Sequence, residues 1–91
     1  MNVLQFADQP TLNAFHLACS LSRDPQFREW VAQWMVPPRE VDVDTAAEFI
    51  RTVCEITSRR ELATDAQAQQ RFHQFLRRPF VAWRDQQHQP A

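Results

Sequence analysis

Four side chains in this sequence have the chemistry to hold a metal: His16, Cys19, Cys54 and His73. His16 and Cys19 are three residues apart, which places both on one face of a helix. Imidazole nitrogen with thiolate sulfur is a donor set suited to zinc. Nothing anchors such a site, because the chain has no CxxC or HxxxH pair. A cysteine without metal partners behaves as a small hydrophobe, so packing is the expectation for Cys19 and Cys54, with no metal and no cofactor. His16 could also act as base to a Cys19 nucleophile. That chemistry needs a third, orienting group and an oxyanion-binding loop, and no segment supplies them. The acids Glu40, Asp42, Asp44 and Glu48 lack the DxDxDG arrangement of a calcium loop. Carboxylates at the start of a helix explain them better.

Glycine is absent altogether. Phosphate-cradling loops of the GxGxxG and GxxxxGKS types, and the GxSxG nucleophile elbow, need glycine for close backbone approach or positive φ. The expectation is a protein that is not an enzyme, with no catalytic residue. Helices in such a chain are expected to end on proline or polar residues.

Arginine is the prominent chemistry that remains. All ten basic residues are arginine, which fits GC-rich coding and hence a bacterium or its phage. Residues 1–50 hold three Arg and seven acids, net -4; residues 51–91 hold seven Arg and four acids, net +3. Such asymmetry suits a charged partner, self-association of unlike patches, or two halves that face each other within one monomer. The stretch RFHQFLRRPFVAWRDQ, residues 71–86, interleaves arginine with aromatics. Trp and Arg dominate measured binding hot spots. The predicted partner-binding surface is therefore Arg77, Arg78, Trp83 and Arg84, with Arg59 and Arg60 at its edge.

A nucleic-acid-binding regulator is the alternative. The arginines would then contact phosphates, with Trp83 or Phe80 stacking on bases, and residues 46–76 could form a helix-turn-helix. The isoelectric point near 6.3 is low for a dedicated DNA-binding domain. A protein partner is the expectation, together with a homodimer built from surplus aromatics and opposite charge. Small size without catalytic motifs suits a phage or mobile-element inhibitor or adaptor acting on a host protein complex.

These side chains need a scaffold, and its pattern is helical. Ninety-one residues, 44% hydrophobic, make one domain that is not a disordered tail. Pro10 suits the first turn of a helix, and Leu12, Phe15, Leu17, Cys19 and Leu21 make that helix apolar on more than one face, hence central. Asp24 and Pro25 read as N-cap and first helical residue. Phe27, Trp30, Val31, Trp34 and Met35 then keep helical spacing up to the stop at Pro37–Pro38. Thr45 with Glu48 fits a capping box, ahead of the stripe Ala46, Phe49, Ile50, Val53 and Cys54. Ser58 with Glu61 fits a second, opening a short turn through Leu62. Thr64 or Asp65 starts the last long helix, whose stripe is Ala68, Phe72, Phe75 and Leu76. The stripe continues past Pro79 through Phe80 and Trp83, so Pro79 either kinks a single helix or makes a tight bend; the bend is the expectation, leaving Arg77 and Arg78 exposed at a helix end and starting a short segment that presents Trp83.

The predicted fold is all-α, a compact irregular bundle of four to five short helices. Residues 1–7 read as a strand or packed arm, and residues 87–91 as a frayed tail. The start, MNVLQFADQP, lacks the cationic, long-apolar pattern of a signal peptide, and no stretch reaches the about 18 apolar residues of a membrane span. The expected location is the cytoplasm.

Overall fold

A computed structural model describes residues 10–87. In chain order these residues form α1 (Pro10–Arg23), α2 (Pro25–Ala32), α3 (Val43–Cys54), a 3-10 turn (Arg59–Ala63), α4 (Ala66–Phe72), a π turn (His73–Arg77) and α5 (Arg78–Gln87). The fold is all-α, with no strand among the described residues. None of their helices is long and apolar enough to cross a membrane. The arm expected over residues 1–7 lies outside the described residues.

Short-range chemistry starts α2, α3, the 3-10 turn and α4. Asp24 caps α2, its carboxylate accepting the Gln26 N–H at 2.8 Å, and Pro25 follows as the first helical residue. Asp65 caps α4, accepting from Gln67 N–H at 2.9 Å and Ala68 N–H at 3.2 Å. The Ser58–Glu61 capping box is complete. At α3 the expected Thr45–Glu48 box gives way to Asp42, whose Oδ1 accepts the Thr45 N–H at 2.7 Å. Aspartate is the stronger N-cap, and its position three residues earlier draws Thr45 into the first turn.

The end of α3 shows what a chain without glycine does instead. Glu55 adopts the left-handed conformation, φ 61° and ψ 46°. Its N–H donates to Thr52 O at 3.2 Å, and the Ile56 N–H donates to Arg51 O at 3.0 Å. These are the paired bonds of a Schellman ending, whose left-handed position usually falls to glycine. An L-residue with a Cβ pays about 1–2 kcal/mol for this geometry, while glycine returns about 0.5–1 kcal/mol through chain entropy. Because the Glu55 side chain is exposed, Glu55→Gly is expected to raise stability by about 0.5–1 kcal/mol. A higher urea midpoint at unchanged slope checks it.

The core draws on every element. Ala14, Ala18 and Leu21 of α1 meet Phe27, Trp30 and Val31 of α2, Ile50 and Cys54 of α3, and Leu62 of the 3-10 turn. Helix α1 packs against α2, α3, α4 and the 3-10 turn, so it is central. Its buried face is made of small residues, which lets those neighbours approach, while Leu17 faces outward.

Two apolar stripes end differently from the spacing expectation. Helix α2 stops at Ala32, not at the proline pair. Its last turn tightens into bonds from Gln33, Trp34 and Met35 N–H to the carbonyls three residues back, a common way to satisfy terminal groups. Trp34 therefore leaves the core face and is 61% exposed, whereas Trp30 is buried.

The second difference lies at Pro79. The backbone does not bend there: helix runs without a break from Ala66 to Gln87, through the π turn. Within that turn the Arg78 N–H donates to His73 O, five residues back. A π turn already interrupts the α-helical ladder, so the missing N–H of Pro79 falls where the pattern is changing anyway. The turn also sets side-chain phase. Residues four apart drift by about 40° per step on a regular 3.6-residue helix, and a wider turn takes part of that drift back. Ala68, Phe72, Leu76 and Phe80 consequently share the buried face. Phe75, expected in the core, falls off that face and is 51% exposed. The helix also includes Gln87, placed by the sequence in a frayed tail; residues 88–91 lie outside the described set.

Candidate functional site

The aromatic side chains of α2 and α5 form one connected group. Phe80, fully buried, meets Phe27 edge-on at 5.3 Å and Trp30 at 6.0 Å. Trp30 meets Trp34 edge-on at 6.0 Å, and Trp83 stacks on Phe80 at 6.2 Å. The Arg84 guanidinium lies over the Phe80 ring at 5.6 Å. A buried pair, Trp30 and Phe80, thus links two outer tryptophans: Trp34 is exposed and Trp83 half-buried. The tips of the group reach solvent beside Arg84.

The six predicted partner-binding residues fall on two sets of elements. Arg77 lies in the π turn, and Arg78, Trp83 and Arg84 lie on α5, which packs on α2. Arg59 and Arg60 open the 3-10 turn, which packs mainly on α1. Trp34, whose residue type suits an interface and whose spacing suits the core, lies at the surface. The signal was present in Pro37–Pro38, which denies the end of α2 a regular last turn.

Among the described residues the lopsided charge is not balanced by ion pairs between the two halves. Among the described residues the single ion pair is Arg84–Asp85, at 3.7 Å between sequence neighbours. Arginine bonds run mostly to neutral groups. Arg71 Nε donates to Cys54 O at 2.8 Å, and an Arg59 Nη donates to Ser22 Oγ at 3.2 Å.

Arg77 is only half exposed, in contrast to its expected place in solvent. Its Nε donates to His73 Nδ1 at 2.8 Å. That bond needs an unprotonated Nδ1, and the His73 pKa is lowered, first by burial and then by the charges of Arg77 and Arg78. The unfolded chain therefore takes up this proton more readily than the folded one. Stability from this group is intact above the ordinary value of 6.5 and is lost as pH falls below it. Wild type is expected to lose more stability than His73→Gln between about pH 7.5 and about pH 5.5, since glutamine can accept the Arg77 bond without titrating. Urea midpoints at the two pH values check it.

The four side chains with metal chemistry are spread over the molecule. His16 is exposed and contacts the Phe15 ring, while His73 is committed to Arg77. Cys54 is buried, and burial pushes its thiol up to about 11. Among the described residues no group of three or more His, Cys, Asp or Glu is arranged to hold a metal ion. An open cleft of about 570 Å3 beside α2 is lined by Gln26, Arg28, Glu29 and Glu40 with apolar neighbours. It contains no histidine, cysteine or hydroxyl side chain.

The arrangement presents aromatic surface together with Arg84, which among the described residues has no carboxylate partner from another element. Compared with protein families, curated proteins and solved structures, the chain matches none.

Proposed function

We propose that the protein is a non-enzymatic binding domain. It engages a partner protein through the aromatic group that Trp30 and Phe80 join, with Trp34 exposed at one end and Trp83 and Arg84 at the other. The observation that carries this reading is Trp34. A tryptophan 61% exposed leaves a large apolar surface in water, while its edge contact with the buried Trp30 fixes its position. A tryptophan joined through Trp30 and Phe80 to Trp83 and Arg84 has the composition of an interface centre. Arg78 and Arg84 favour an acidic rim on the partner, because opposite charge steers encounter and fixes orientation. A stoichiometric inhibitor or adaptor of a host protein complex acts in this way, by occupying a surface.

Affinity capture from bacterial lysate, with and without nuclease, tests the reading. The expected result is a specific protein that survives nuclease and is lost with Trp34→Ala. Capture that disappears on nuclease treatment would instead make the arginines a nucleic-acid grip. Light scattering of the isolated protein supplies the control for self-association: a dimer that Trp34→Ala converts to monomer would make the partner a second copy of the chain.

A further inference from the structure

Away from α2 and α5, three arginines come together with no ion pair among the described residues. Arg51, in the last turn of α3, and Arg59 and Arg60, at the start of the 3-10 turn, line one pocket of about 240 Å3. Thr57 and Ser58 form its polar edge, and Phe15 with Cys19 of α1 forms the wall opposite. Among the described residues no acidic side chain lines it. The acid nearest in sequence to this arginine pair, Glu61, is turned to other work: its Oε2 accepts from Thr57 N–H at 2.9 Å, Thr57 Oγ at 2.8 Å and Ser58 N–H at 3.0 Å. None of the three arginines forms an ion pair among the described residues.

The site is also held in shape. Ser22, fully buried, accepts from the Arg59 guanidinium at 3.2 Å, and its own hydroxyl donates to Ala18 O at 3.0 Å. The Ser58 hydroxyl accepts the Arg60 N–H at 3.2 Å, which leaves its O–H to donate outward. Guanidinium forks match tetrahedral oxyanions in geometry as well as charge. A carboxylate brings one charge and two oxygens to this cluster, whereas a phosphate dianion brings two charges and more acceptors. The volume points the same way. Sites that enclose a whole small molecule run to about 300–1,000 Å3, so this one suits a head group.

We infer that the pocket formed by Arg51, Arg59, Arg60 and Ser58 binds a phosphate group, either inorganic phosphate or the phosphate of a small monoester. This site stands apart from the tryptophan surface and does not depend on the proposed protein partner.

Calorimetry and thermal melts with inorganic phosphate and with phenyl phosphate, at ionic strength matched with sodium chloride, test the assignment. Both ligands are expected to bind and to raise Tm, because a ligand that binds the folded state stabilises it. Preference for phenyl phosphate would place a monoester with its organic part on Phe15; equal affinity would favour inorganic phosphate. Arg51→Gln with Arg60→Gln is expected to weaken binding by about tenfold or more, the scale of one charge-assisted contact. Neither side chain forms an internal hydrogen bond among those described, so helicity should persist. Should the double variant fail to fold, Arg60→Gln alone serves, since Arg60 is exposed. Arg78→Gln with Arg84→Gln should bind phosphate as wild type does. The assignment is overturned if chloride alone reproduces the Tm shift or if the pocket variants bind phosphate unchanged. It is also overturned if oligothymidine binds while neither small phosphate does.

Discussion

Replacing Phe80 by alanine is expected to cost about 3–5 kcal/mol, the range for a large aromatic removed from a core. Phe80 is 1% exposed and joins Phe27, Trp30, Trp83 and Arg84. Its loss leaves a cavity at the junction of α2 and α5 and unseats both the Trp83 stack and the Arg84 cation–π contact. Small domains have only about 5–15 kcal/mol in hand. At about 4–8 °C per kcal/mol for a chain of this size, Tm should fall by at least about 12 °C. Phe75→Ala is the matched comparison. The two phenylalanines belong to one apolar run in the sequence, yet Phe75 is 51% exposed, and its replacement should stay within about 1 kcal/mol. Thermal or urea unfolding of the pair measures the phase that the π turn imposes. Equal losses would mean that the helix runs through residues 73–77 as a regular α-helix.

At the proposed partner surface, Trp34→Ala combined with Arg84→Glu should weaken capture by about thirtyfold or more, since a hot-spot side chain is worth about 2 kcal/mol or more. The fold should hold. Removing Trp34 costs its edge contact with Trp30, about 0.5–1.5 kcal/mol, and little burial. Arg84→Glu removes the cation over Phe80 and sets a like charge against an acidic partner. Binding titration of the captured protein, beside circular dichroism of the variant, checks both halves. A variant that keeps its helicity and still binds at wild-type strength would move the partner surface away from the tryptophans. Unfolding of the variant would mean that Arg84 serves the fold through Phe80, and Trp34→Ala alone would then carry the binding test.

The starts of α2, the 3-10 turn and α4 were legible in the residues themselves. Asp24, Ser58 and Asp65 each bond to an N–H two or three residues away, and interactions that short need no tertiary partner. The same logic misplaced the start of α3, because Thr45 and Asp42 both satisfy local rules and only their relative strength separates them. The all-α class followed from repeated apolar spacing, since several amphipathic stripes can bury their faces only against one another. Spacing also found Phe27, Ile50, Cys54, Phe72 and Leu76 as core. It could not find the π turn, and with it the exposure of Phe75, because the ladder shift is settled by how Leu76 and Phe80 seat against other elements. Nor could it separate Trp34 from Trp30, which share a stripe until the final turn of α2 tightens. The arginines were visible as a count and an imbalance, and their division was not. Arg51 reaches Arg59 and Arg60 only once the left-handed Glu55 reverses the chain, while Arg84 finds Phe80 within its own helix. Composition and period determined that helices form and which faces are apolar, because both depend on neighbours within a few residues. Tertiary packing decided which side chains at the edges of those faces meet solvent, because that depends on which surfaces the other helices cover.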